Sequence, residues 1–352
     1  MPDWTKSMEQ NYEYYTVDPG TWRDVKPVRI VKACSINRDS STDTLGSASF
    51  DLTESISECY VRAYLVTIQN GIKERFPLGT FLVQSPGLKF NGKVSSYTVD
   101  GYTPLIELKE NPPPIGYSVM KGDNIMDVAY RICRDNARAP VVKTNSTETL
   151  YYDFVANTSD NWLVFTRDLI TSAKYTFGLD EMGRIIFLPN QNVASLQPVT
   201  TFNDSNSSIL YPEISVNRDL YDIPNVIEVV YSNGNDSYHH RVVNDNENSP
   251  VSTVNRGREI KKIITDPEVT GEPTGKQLQE YAEQLLEAYS TVECTVSYTH
   301  GYYPVRIGDC VRLNYKRAGL NNVKAKIVSQ AISCTPGCPV SEKAVYTTNL
   351  WR

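Results

Sequence analysis

Three histidines, seven cysteines and one short basic run are the residues whose types and spacing could do chemistry in this chain. His239 and His240 are neighbours, and in a strand neighbours point to opposite faces, so the two do not converge on one mononuclear metal. His300 stands alone. A zinc site needs three or four converging ligands. Cys334-x-x-x-Cys338, interrupted by Pro336 and Gly337, offers half a knuckle with no second pair at suitable spacing. The plainer expectation is a turn carrying two reduced thiols, with a disulfide across it only in oxidising surroundings. Arg256-Gly257-Arg258-Glu259-Ile260-Lys261-Lys262 is the densest basic run, and its alternation with Ile260, Ile263 and Ile264 suits a strand with one solvated face as well as a phosphate site.

Acidic residues number 41, so some carboxylates will meet by chance, and no pair is singled out as flanking a glycosidic cleft. The chain contains no GxSxG elbow, no HExxH and no P-loop. The reading is of a chain without catalytic, cofactor-binding or metal-binding residues, and not of an enzyme.

At 352 residues the length suggests two or three domains. The 40% hydrophobic and 22% charged composition is that of a soluble globular protein. No apolar run approaches the ~20 residues needed to span a bilayer, and the start MPDWTKSMEQNYEYY lacks the basic and apolar stretches of a signal peptide. These features predict synthesis and assembly in a cytoplasm, with the scattered cysteines Cys34, Cys59, Cys133, Cys294, Cys310, Cys334 and Cys338 as reduced, structural thiols. A net charge of -6 argues against a broad nucleic-acid grip. It remains compatible with a channel that a polyanion slides through, which is better neutral or acidic than basic. The 23 tyrosines against 9 phenylalanines suit half-buried strands and interfaces alike.

The elements that must position these residues follow from the pattern. Residues 1–24 are polar and aromatic and read as an N-terminal arm, with Trp4, Tyr12, Tyr14 and Tyr15 expected to pack on a neighbouring subunit. Residues 25–111 alternate as short strands, with Asn70-Gly71 marking a hairpin, and read as a first small antiparallel β-barrel. Pro112, Pro113 and Pro114 end it. Residues 112–201 read as an α+β insert, with a helix near Gly122–Asn136 capped by Asp123 or Asn124, a second near Asp160–Ala173, and a hairpin turning on Asp180–Gly183. Residues 202–352 read as a second barrel with a docked helix over 274–289, where Thr274 and Gln277 form a capping box. The fold class expected is mainly β, two barrel-like domains joined by a helix-containing insert.

Several stretches carry a resemblance. LGSASFDLTES at Leu45–Ser55 is followed by ERFPLGTFLV, containing Phe76, Leu78, Gly79, Thr80 and Phe81, and then by Asp100, Gly101, Tyr102 and Leu105. The helix near Gly122–Asn136, the Trp162 helix, the Asp180–Gly183 hairpin and a P-x-x-x-GD-x-V match at Pro304, Gly308, Asp309 and Val311 come next, in that order. The series resembles the tail hub, or baseplate hub, proteins of long-tailed bacteriophages. The resemblance implies a structural virion protein of the distal tail: a homotrimer whose two similar barrels per chain adapt threefold to sixfold symmetry. The implied partners are a distal tail protein or tail tube ring, the tape measure protein, a tail fibre or spike protein, and phage DNA in transit, with no integral membrane segment. The chain ends soon after the second barrel, so the resemblance implies no lysin or receptor-binding extension here. A tail-associated cell-wall hydrolase or glycan-binding module is the alternative expectation.

Overall fold

The computed structural model describes residues 2–90, 92–93, 95–205, 207–232, 237–265, 267 and 274–351, the side chains of 85 and 86 excepted. Val94, in a stretch expected as a strand, and the terminal Arg352 lie outside the described residues. The protein is mainly β with an inserted helical segment. Two compact units divide it, the first made of residues 1–214 and 297–344, the second of 215–296 and 345–352.

The first unit begins with strands β1 (Glu9–Val17), β2 (Asp24–Pro27), β3 (Val31–Asp39), β4 (Gly46–Leu52), β5 (Cys59–Gln69), β6 (Ile72–Phe90) and β7 (Ser95–Tyr102), then the short helix α1 (Ile106–Glu110). Asn70 (φ 52) and Gly71 (φ 77) both take left-handed backbone, the requirement of the tight hairpin that their sequence announces. The segment expected as an arm is instead a sheet strand: β1 pairs with β5 over its whole length, Glu9 opposite Ile68 to Val17 opposite Tyr60. Its alternation explains the change. Tyr12 and Tyr14 turn into the core of their own chain, and Trp4 packs edge-on to Phe76 and Tyr302 at 5.0 and 5.2 Å.

The insert follows as β8 (Ser118–Val119), α2 (Ile125–Asn136), β9 (Phe154–Val155), α3 (Trp162–Ser172), β10 (Tyr175–Leu179) and β11 (Ile185–Pro189). Asn124 caps α2 through the Asp127 amide, and Asn161 caps α3 through that of Val164. The apolar faces of both helices form one core that also takes Val17, Tyr60 and Leu82 from the strands before the insert and Trp22 from the β1–β2 turn. A second core fills with Ile36, Phe50, Val61, Leu65, Leu78, Phe81 and Val99. β5 is buried on both faces as a result: Tyr60 joins the first core, Val61 and Leu65 the second. That is why, Arg62 apart, it reads as a mostly apolar run rather than an alternation.

The rest of the chain supplies β12 (Pro198–Asn203), β13 (Leu210–Arg218), β14 (Val226–Ser232), β15 (Ser237–Val243), α4 (Thr253–Arg256), β16 (Lys261–Thr265), α5 (Gly275–Ser290), β17 (Thr291–Gly301), β18 (Cys310–Tyr315), β19 (Leu320–Ser333) and β20 (Pro339–Asn349). Within the first unit β19 pairs antiparallel with β3, Ser329 opposite Asp39 to Ser333 opposite Ser35, so late strands continue the early sheet. In the second unit β14 lies between β15 and β16. α5 seats Leu278, Ala282 and Leu286 on Ile227 and Val229, and its Thr274–Gln277 capping box is formed in both directions.

Candidate functional site

Most positions singled out by the sequence lie on two adjacent strands. Leu78, Gly79, Thr80 and Phe81 run along β6, while Asp100, Gly101 and Tyr102 end β7; Leu82 sits opposite Tyr102 and Gln84 opposite Asp100. The glycines make room for two rings, those of Phe81 and Phe50. A Cβ on Gly79 would stand 2.6 Å from the Phe81 ring, and one on Gly101 would stand 2.9 Å from Phe50 and 3.0 Å from the Cβ of Phe81. The β5–β6 ladder slips between Ala63 and Tyr64, leaving Leu78 as an extra residue that is fully buried. Phe76 packs on Trp4 and Tyr302, half-buried Tyr102 ends its strand, and Asp100 is exposed.

Gly308 and Asp309 are on neither strand. They form the turn into β18, where the Asp309 carboxylate accepts the Arg306 amide at 2.9 Å, and Gly308 takes φ +92. Burial pushes the Asp309 carboxyl above its ordinary range, against the lowering effect of that amide. The hairpin β10–β11 touches both loci. Gly183 sits so close to Thr80 that a Cβ there would be 2.7 Å from the threonine Cβ; Leu188 lies beside Gly308, and Glu181 ion-pairs with Arg306.

Sequence reasoning missed the residue that ties this junction together. Arg62 is 1% exposed in the middle of β5. Its Nε donates to Thr80 Oγ1 at 2.8 Å, Nη1 to Asp24 Oδ1 at 2.7 Å, and Nη2 to the carbonyls of Met182 at 3.1 Å and Trp22 at 3.3 Å. The Met182 carbonyl also accepts from Trp22 Nε1 at 2.7 Å and Thr80 Oγ1 at 2.9 Å. A single turn carbonyl thus receives three donors from three segments. The available signal was a lone arginine inside an otherwise apolar strand, a residue type that is buried only when paired.

A second buried polar group went equally unseen. Arg38 reaches the Leu78 carbonyl at 2.7 Å and Gln330 Oε1 at 2.9 Å; Gln330 donates to Glu342 Oε1 at 2.6 Å, and Tyr298 donates to Glu342 Oε2 at 2.6 Å. His300 is fully buried, with Nδ1 2.6 Å from the Gly301 carbonyl and Nε2 3.3 Å from Glu342 Oε1. Phe202 stacks on its ring at 4.6 Å. Burial, and then the Glu342 charge, hold the Tyr298 hydroxyl far above its ordinary range, so it stays a donor. Both carboxylate oxygens are committed and the group is sealed from solvent. Its chemistry is that of a polar brace inside a sheet, not of acid or base catalysis on a ligand.

The remaining candidates disperse. His239 and His240 face opposite sides of β15, the first 3.9 Å from Glu228, the second beside Gly275 at the start of α5. The basic run is drawn into local pairing: Lys261 binds Glu228 and Glu259 at 3.1 and 3.4 Å, and Arg256 donates to the carbonyls of Ile223 and Leu220. All seven cysteines are free. Among the described residues no group of three or more His, Cys, Asp or Glu is placed to hold a metal ion. No described helix is long and apolar enough to cross a membrane. The one conspicuous apolar surface of the insert is around the short β8–β9 ladder, where Ile115, Met120, Tyr151, Tyr152 and Val155 are 56–97% exposed.

No protein-family model matches the chain, and no curated protein sequence does. Solved structures do. A tail protein from Neisseria meningitidis MC58 superposes with TM-score 0.60 at 13% identity, over 97% of this chain and 98% of that one. The 43 kDa tail protein of prophage MuSo2 from Shewanella oneidensis gives TM-score 0.60 at 12% identity, over 96% and 98%. A Francisella PdpA-VgrG complex structure gives 0.54 at 10% identity, over 97% of this chain and 58% of that one. The chain therefore has the fold of phage tail proteins, as the order of its motifs led one to expect.

Proposed function

We propose that this protein is a structural virion component, the hub at the distal end of a phage tail, acting by assembly rather than by catalysis. The observation that carries the reading is the near end-to-end superposition on two tail proteins, one of them from a prophage, with neither chain leaving a domain's worth of residues unmatched. The sealed polar groups agree with it, because they brace strands rather than face a ligand.

In this reading three copies form a ring, and the early and late β regions of each chain serve as two similar barrel units, presenting six positions to a sixfold tail tube. The ring docks on a distal tail protein or the tube itself, holds a fibre or spike, and gives passage to the tape measure protein and then DNA. Assembly takes place in the host cytoplasm. Light scattering with negative-stain imaging tests it: three times the 39.6 kDa chain, seen as a ring with a central hole, is expected. A chain that stays monomeric even when mixed with tail tubes, or that clears host cell wall in a zymogram, overturns it.

A further inference from the structure

The pairing of β19 with β3 keeps a constant register, and one step beyond Ser333 and Ser35 it sets Cys334 opposite Cys34, with the Cys334 amide donating to the Cys34 carbonyl at 3.0 Å. Directly opposed residues of an antiparallel hydrogen-bonded pair have Cα atoms ~5.5 Å apart, inside the range that a disulfide spans. Both side chains enter the same core, at 6% and 8% exposure, with the two thiols close enough to act on each other electrostatically. Tyr14 packs in that same core. Cys338, the partner that sequence spacing suggests for Cys334, is engaged elsewhere. It is fully buried beyond the turn that Pro336 and Gly337 make, where its amide donates to the Thr335 carbonyl at 2.9 Å.

We propose that Cys34 and Cys334 are an oxidisable pair that forms a cross-strand disulfide, locking the seam at which the late strands join the early sheet. Hydrogen peroxide, small and uncharged, is the class of oxidant that fits a site sealed this tightly. The thiolate of one cysteine attacks a peroxide oxygen; the O–O bond breaks, hydroxide leaves and takes up a proton as water, and the sulfur becomes a sulfenic acid. The second thiolate attacks that sulfur, the S–O bond breaks, and a second water leaves. Two thiols are oxidised, one peroxide is reduced, and two waters account for the atoms. The neighbouring Cys334 thiol, and then burial, hold the Cys34 thiol well above its ordinary range, so the reaction is slow at neutral pH and quickens in alkali.

The test treats the intact chain with dilute hydrogen peroxide at pH 8.5, counts thiols, and maps disulfides after alkylation and trypsin. Expected are a fall from seven thiols to five, peptide 33–38 joined to 327–343 with Cys338 alkylated, and a rise in Tm that dithiothreitol reverses. Cys338→Ser should keep the link, and Cys334→Ser should abolish it. A Cys334–Cys338 bond, sulfinic acid on Cys34 without a link, or seven thiols surviving in protein whose methionines have oxidised would each overturn the proposal, and all three are read on the unmutated chain.

Discussion

Arg62 holds a permanent charge at 1% exposure, and what keeps it tolerable is that all of its nitrogens have acceptors within 3.3 Å. Removing one member of a buried ion pair typically costs ~3–5 kcal/mol, so Arg62→Met should lower stability by about 3 kcal/mol in urea melts, at the low end because Asp24 keeps the Tyr64 hydroxyl at 2.7 Å. The double variant R62M/D24L should recover part of that loss, since it leaves no unpaired carboxylate; a double variant no better than the single would sink the account. Asp309 gives a prediction of opposite electrostatic sense. Its folded-state pKa is raised by burial, so the folded protein holds the proton more tightly than the unfolded chain. Ionising it costs stability as pH rises from the unfolded carboxylate value through the folded one. Asp309→Asn keeps an oxygen for the Arg306 amide and cannot ionise. Thermal melts from pH 3.5 to 7 should show wild type losing ground to D309N as pH increases, and a difference independent of pH would refute the assignment.

At the scale of elements, local signals were legible where local chemistry decides. The Asn70-Gly71 hairpin, the Asn124 cap, the Trp162 helix and the Thr274–Gln277 box all stand where their residues put them. β1 was not legible as a strand because EQNYEYYTV has no aliphatic alternation; tyrosines supply its buried face, and tyrosine suits a subunit interface as well as a half-buried strand. Arg62 and the His300–Glu342 group escaped for a related reason, since each is justified only by partners far away in sequence. The pairing of β1 along nine residues of β5 fixes the consequence of removing residues 1–20. The deletion exposes β5 as a long apolar edge and strips Tyr14 and Val17 from the two cores. It should give aggregated or molten protein in far-UV and near-UV circular dichroism, whereas a well-folded truncated chain would restore the arm that the sequence suggested.

At the scale of the whole molecule, the question is whether the early strands and the insert together constitute a body that stands alone. The first unit is stitched by contacts between residues hundreds of positions apart: β3 on β19, Arg38 on Gln330, the Tyr12 hydroxyl on the Thr335 carbonyl at 2.7 Å, and Trp4 on Tyr302. Such closure cannot be nucleated within the first two hundred residues, and its high sequence separation predicts slow, concerted folding. A fragment of residues 1–201 leaves one edge of β3 unpaired, deprives Arg38 of one of its two acceptors, and uncovers Cys34 and Ile36. The fragment should therefore melt without a cooperative transition and bind a hydrophobic dye, while adding residues 297–344 as a separate peptide should restore a sharp melt. A fragment that unfolds cooperatively on its own near the full chain's Tm would mean that the β3–β19 seam joins two independently stable bodies, and that the brace from Leu78 to Glu342 is dispensable to the first.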